Sequence, residues 1–96
     1  MGLKRYAAKR DLGERAIIDA LEAAGCTVQQ LSIKGVPDLL VGCNHWETGL
    51  RTNYLMEVKG DKGKLTKDEL EWIEAWRGQV HIVRSVEQAL KIIGRT

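Results

Sequence analysis

The sequence has few cysteines, no long apolar run and almost no net charge, and each shortage removes a class of protein. Two cysteines, Cys26 and Cys43, and two distant histidines, His45 and His81, are all that 96 residues offer. That is too few for a disulfide framework, and the spacing matches no structural zinc site. No apolar stretch approaches the ~20 residues that cross a bilayer, and the start of the chain shows no signal-peptide pattern. A cytoplasmic location without membrane partners is therefore expected, with both cysteines as buried thiols. Repeats, linkers and low-complexity segments are also missing, so residues 1–96 are read as one domain. The formal net charge of +2 says little about any partner.

What is present is patterned. Lys4, Arg5, Lys9 and Arg10 crowd the N-terminus, and Lys59, Lys62, Lys64 and Lys67 follow one another later. Clusters of this kind neutralise backbone phosphates, although solvated surface lysines look the same one at a time. From Asp11 the spacing of Ala16, Ile17, Ala20, Leu21 and Ala24 is helical, with Gly25 as a stop. Asp11 and Glu14 are spaced as a capping box, yet Glu14 also lies on the apolar stripe and could point inward. Cys26–Ile33 reads as a strand. Asp38–Cys43 is apolar almost throughout, which predicts a central strand covered on both faces. The polar stretch 44–52 is a loop carrying His45, Trp46 and Arg51. Asn53–Lys59 is a third strand, and Gly60-Asp61-Lys62-Gly63 a turn. Thr66 and Glu69 form a capping box for a helix with Leu70, Ile73 and Trp76. Val80–Arg84 is a short strand, and Ser85 with Gln88 opens a last helix. The expected order is α-β-β-β-α-β-α, an α/β mixed four-stranded sheet flanked by helices.

Chemistry concentrates between Gly35 and Lys64. Alternation puts Glu57 and Lys59 on one face of their strand. If the strands of Asp38 and Glu57 are antiparallel neighbours, two carboxylates and an ammonium meet at one edge of the sheet. Paired carboxylates on rigid elements suit a hard divalent cation such as Mg²⁺. The lysine is then placed to orient a water or hold a phosphate oxygen. Glu69 is read as a helix cap, Trp72 and Trp76 as core or dimer surface.

Pro37-Asp38 followed by Glu57-Val58-Lys59, with a helix before and a helix after, resembles the PD-(D/E)XK nuclease superfamily and its restriction-endonuclease-like core. More narrowly the chain resembles the VRR-NUC family, whose small domains stand alone in phages and bacteria. The resemblance implies that Asp38, Glu57 and the Val58 carbonyl bind Mg²⁺ or Mn²⁺, and that Lys59 orients the attacking water. Related junction resolvases carry a Glu-Arg step in the first helix, as Glu14-Arg15 does here, which implies Glu14 as a further ligand. Lys62, Lys64 and Lys67, ordinary surface lysines one by one but a group beside the acids, are read together with Arg84 as nucleic-acid contacts. The implied activity is metal-dependent, structure-selective DNA cleavage like that of a Holliday-junction resolvase, leaving 5′-phosphate and 3′-hydroxyl ends. Because symmetric cutting of two strands needs two sites, a homodimer is expected on physical grounds. Two positions depart from the family pattern: Val83-Arg84-Ser85 lacks a second arginine, and Glu69 stands where glutamine is usual. The rival reading is a non-catalytic nucleic-acid-binding module or subunit with a vestigial site.

Overall fold

The computed structural model describes residues 2–95, and side chains from residue 13 onward. The basic cluster of Lys4, Arg5, Lys9 and Arg10 therefore lies outside the described side chains. Helix α1 (Gly2–Ala23) leads into β1 (Thr27–Gln30), β2 (Leu39–Asn44) and β3 (Arg51–Val58). Helix α2 (Lys67–Ala75), β4 (His81–Val83) and α3 (Val86–Ile92) complete the chain. The strands form one mixed sheet in sequence order. β1 and β3 each pair with β2 antiparallel, and β4 joins β3 in parallel after the α2 crossover.

Local sequence explains where the helices stop. At the end of α1, Gly25 has φ 96°, which a residue with a Cβ adopts only at a cost. Its N–H donates to the Glu22 carbonyl at 3.0 Å and the Cys26 N–H to the Leu21 carbonyl at 3.0 Å. This is a Schellman stop, completed by the contact of two buried apolar residues, Leu21 and Cys26. Thr66 and Glu69 make the full capping box of α2. At α3 the box is half closed: Ser85 Oγ accepts from the Gln88 N–H, while Gln88 Oε1 reaches the Arg84 N–H instead of the Ser85 N–H.

The core lies on one face of the sheet. Leu39, Val41, Tyr54, Met56 and Val83 meet Ile17, Ile18 and Leu21 of α1 and Ala89 and Ile93 of α3. Burying one such aliphatic side chain contributes about 1.5–3 kcal/mol, so these residues hold the sheet against the two helices. Two expectations are corrected. Helix α1 already runs from Gly2, so Asp11 is inside the helix and cannot cap it, and Glu14 sits mid-helix. β2 is central in the sheet but covered on one face only: Leu40 is 39% exposed, and Ile82 of β4 41%. A run apolar in every position predicts cover on both faces, but here α2 lies off the sheet and buries none of its own residues fully.

Candidate active site

Register decides the site. Leu39 pairs with Met56, which brings Asp38, one residue before β2, opposite Glu57. The closure is explicit: Asp38 Oδ2 accepts the Val58 N–H at 2.8 Å. Buried Pro37 lies two residues before β2, outside the ladder, where its missing N–H costs nothing. Lys59 follows β3, its N–H donating to the Val83 carbonyl at 3.0 Å. Its Nζ lies 3.7 Å from Glu57 Oε2 and 2.6 Å from Glu69 Oε1. Two acids and an amine therefore converge, as the alternation of the strand required.

The electrostatics are tight. Glu57 is 2% exposed, and its carboxyl is pushed up from 4.5 to about 8, by burial first and then by the charges of Asp38 and Glu69. One carboxyl oxygen, Oε1, is buried with no hydrogen-bond donor among the described residues. Burial alone would lower the Lys59 ammonium, but the bond to Glu69 and the surrounding acids hold it above its ordinary value. Glu69 is the reverse case: burial works to raise it, and Lys59 and the Thr66 N–H hold it down. The same Oε1 of Glu69 accepts from Thr66 N at 2.8 Å and from Lys59. Glu69 is therefore a cap, as expected, and also the close partner of the lysine.

These groups line a cavity of about 580 Å³, together with Glu14 and Arg84. Glu14 is 2% exposed and accepts a hydrogen bond from Gln30 Nε2 at 2.9 Å. Among the described residues no three histidine, cysteine, aspartate or glutamate side chains form a ready cage for an ion. The chemistry of the donors nevertheless suits a hard divalent cation. Two adjacent carboxyl groups face the cavity, and a buried oxygen of Glu57 finds no donor among the described residues, so only a cation, or a proton shared with Asp38, offsets its burial.

The candidate nucleic-acid contacts divide. Lys62, Lys64 and Lys67 are exposed, and none of them lines the cavity. Arg84 instead points its Nη1 into the turn below it, donating to the carbonyls of Gly60 at 2.6 Å and Gly63 at 2.7 Å. It shapes the turn that carries Lys62. Trp72 and Trp76 stack on each other with ring centroids 4.8 Å apart, and Trp76 remains exposed. Of the thiols, Cys26 is buried and Cys43 half-buried, both free.

Sequence reasoning undervalued the opposite end of the β2–β3 pair. There Asn44 pairs with Arg51, and Arg95 lies over the Trp46 ring, its Cζ 4.4 Å from the centroid. One signal for this was available. Gly94 has φ 85°, and Gly94 and Arg95 donate to the carbonyls of Lys91 at 3.0 Å and Leu90 at 2.8 Å. Ile93-Gly94-Arg95 is thus a second Schellman stop, with Arg95 fixed just beyond it.

A mixed four-stranded sheet with an acid before β2 and an acid-x-lysine at the end of β3 is a nuclease-like fold of the PD-(D/E)XK type. A solved structure described as a VRR_NUC domain is 30% identical and covers 83% of this chain and 88% of its own, with a TM-score of 0.60. The chain belongs to the VRR-NUC family. No family model matches the sequence, and no curated protein does. No described helix is long and apolar enough to cross a membrane.

Proposed function

We propose that this chain is a Mg²⁺- or Mn²⁺-dependent endonuclease that hydrolyses phosphodiester bonds of DNA, acting on branched substrates such as four-way junctions. The observation that carries the reading is the convergence of Asp38, Glu57 and Lys59 on one cavity, with a carboxyl oxygen of Glu57 left without a donor among the described residues. Asp38 and Glu57 would hold the cation, with the Val58 carbonyl and Glu14 as further candidate ligands. When bound, such a cation supplies charge neutralisation at the phosphate and a more acidic water. Lys59, largely buried, charged and steadied by Glu69, orients the water and meets the negative charge that grows on the phosphate. Glu69 holds that ammonium in place while capping α2. Exposed Lys62, Lys64 and Lys67 take phosphates on either side of the cut. Arg84 supports them through the turn it organises.

Symmetric cutting of a junction needs two such sites, so we propose a homodimer, acting in a reducing cytoplasm where both thiols stay free. The test is incubation of labelled four-way junction and linear duplex with Mg²⁺, Mn²⁺ or EDTA. Junction cleavage that disappears in EDTA, and falls at least ~100-fold in Lys59→Ala, is the expected result. Firm binding with no cleavage in either metal would make the chain a binding module.

A further inference from the structure

A second cavity, of about 630 Å³, opens at the far end of the β2–β3 pair. Its lining contains two arginines, Arg51 and Arg95, with Asn44, Asn53 and Trp46 among the rest, and among the described residues not one carboxylate side chain. Among the described residues neither arginine has an acidic partner, unlike Lys59, and neither guanidinium is spent on carbonyls, as that of Arg84 is. Trp46 is 64% exposed. One face of its indole carries Arg95, and the ring is otherwise open to a stacking partner.

The cavity is held in shape before any ligand arrives. The Trp46 N–H donates to the Ile93 carbonyl at 3.1 Å, and the His45 N–H to the Leu50 carbonyl at 2.9 Å. The first bond ties the loop to the end of α3, and the second closes it at the base of β3. Arg95 is fixed by the glycine stop before it. Two guanidinium cations, amide and hydroxyl side chains and an exposed indole are the group types that hold a sugar–phosphate backbone.

The need for such a site follows from the first cavity. Its walls carry Glu14, Asp38, Glu57, Asp61 and Glu69 against Lys59 and Arg84. A pocket with that excess of acids disfavours a phosphate chain until a cation is bound, so affinity comes from groups outside it, Lys62, Lys64 and Lys67 among them. β2 separates the two ends by six residues, about 17–20 Å at ~3.3 Å each, or roughly five base-pair steps of a duplex.

We propose that the cavity of Arg51, Arg95 and Trp46 is a second nucleic-acid contact, which anchors the backbone of bound DNA about five base pairs from the bond that is cut. The proposal rests on the nuclease reading above and adds to it where the affinity resides. Arg51 and Arg95 take phosphate oxygens, and Trp46 packs against the adjoining sugar or an unpaired base.

The experiment measures binding of labelled four-way junction and duplex by the full chain in EDTA across a KCl series, so that cleavage plays no part. Arg51→Gln, Arg95→Gln and the double variant are compared with Lys34→Gln, a control whose side chain is 89% exposed and paired with Asp68. The expected outcome is a loss of ~10-fold or more in the double variant, with a salt slope shallower by about 1–2. Cleavage at saturating DNA in Mn²⁺ stays within about twofold of wild type, since the chemistry sits at the other end. Arg51→Lys, which keeps the charge, recovers most of the affinity and guards against a folding artefact. Unchanged affinity and slope in the double variant overturn the proposal, as does an equal loss in Lys34→Gln. Inorganic phosphate that binds wild type but not the double variant, with DNA affinity intact, reassigns the cavity to a free anion and also overturns it. If wild type cleaves and the double variant behaves identically, only this inference falls. If wild type neither binds nor cleaves DNA, the function falls and takes this inference with it.

Discussion

The two ends of the β2–β3 pair are built from the same strands and oppose each other in every electrostatic respect. At one end Asp38 and Glu57 face one another, Lys59 is enclosed by acids, and a carboxyl is forced up to about 8. At the other, Arg51 and Arg95 stand beside an exposed indole with no carboxylate side chain in the cavity wall among the described residues. The acidic end is organised by sheet register and buried hydrogen bonds, the basic end by a loop and a glycine stop. A polyanion is repelled at the first until a cation binds there, and attracted at the second throughout. The difference teaches that chemistry and affinity need not share residues, and that a substitution at either end should leave a different kinetic signature.

The largest effect outside the reacting groups is expected from Gly94→Ala. The position has φ 85°, and an added Cβ would lie 2.6 Å from His45 Cε1. Left-handed backbone strain plus displacement of that ring should cost roughly 2–3 kcal/mol, or on the order of 10–20 °C in Tm for a chain of this size. Because Arg95 and the Trp46 loop hang on this stop, DNA affinity should fall with stability, whereas kcat at saturating DNA should hold below the new Tm. Thermal melting and a binding titration at 20 °C check it. A kcat that collapses while affinity survives would reverse the division between the ends.

Glu57→Gln sharpens the comparison from the other side. In the native chain Glu57 keeps its proton up to about 8, against 4.5 ordinarily. Between those values the unfolded chain has lost a proton that the folded one retains, so stability declines as pH rises through the window and levels off above it. An uncharged amide escapes that penalty. In metal-free buffer Glu57→Gln should therefore be more stable than wild type by about 1–2 kcal/mol at pH 8.5, with the gain vanishing near pH 4.5. Adding Mn²⁺ should reverse the ranking, because the wild type gains ligand-linked stability and the variant has lost a charged donor. Melting curves at three pH values with and without metal measure both signs. A variant less stable than wild type at pH 8.5 without metal would mean that Glu57 is not a strained carboxyl.

How much of this was legible in the sequence depends on the range over which each feature is encoded. The element order, the Thr66–Glu69 box and the meeting of Asp38 with Glu57 and Lys59 follow from local caps, strand alternation and one assumption about pairing. The extent of α1 did not, because Asp11 and Glu14 form a capping pattern that an already running helix makes irrelevant. Full cover of β2 was wrongly expected, since the run around Leu40 cannot register that α2 sits away from that face. Arg84 was expected as a nucleic-acid contact, and only the folded turn shows its Nη1 bound to carbonyls. The basic end was hardest to see. Arg51 and Arg95 are far apart in the chain, and nothing in either neighbourhood says that β3 begins where α3 ends.

The smallest predicted effect concerns α2, the helix that joins the acidic end to the rest through Glu69. It buries none of its residues fully, so its local stability rests on its cap and on the Lys59 bond. Thr66 Oγ1 accepts the Glu69 N–H at 3.2 Å, and Glu69 Oε1 returns to the Thr66 N–H at 2.8 Å. Thr66→Ala removes the first bond and should cost about 1 kcal/mol, much of it as fraying of the first turn. Fraying swings Glu69 away from Lys59, so the ammonium loses the partner that steadies it. Amide exchange over Lys67–Ala75 should quicken and cleavage should drop a few-fold, while the affinity for DNA in EDTA and its salt slope stay unchanged. If affinity falls in step with cleavage, α2 is part of the binding surface, and the separation of the two ends along β2 and β3 is not functional.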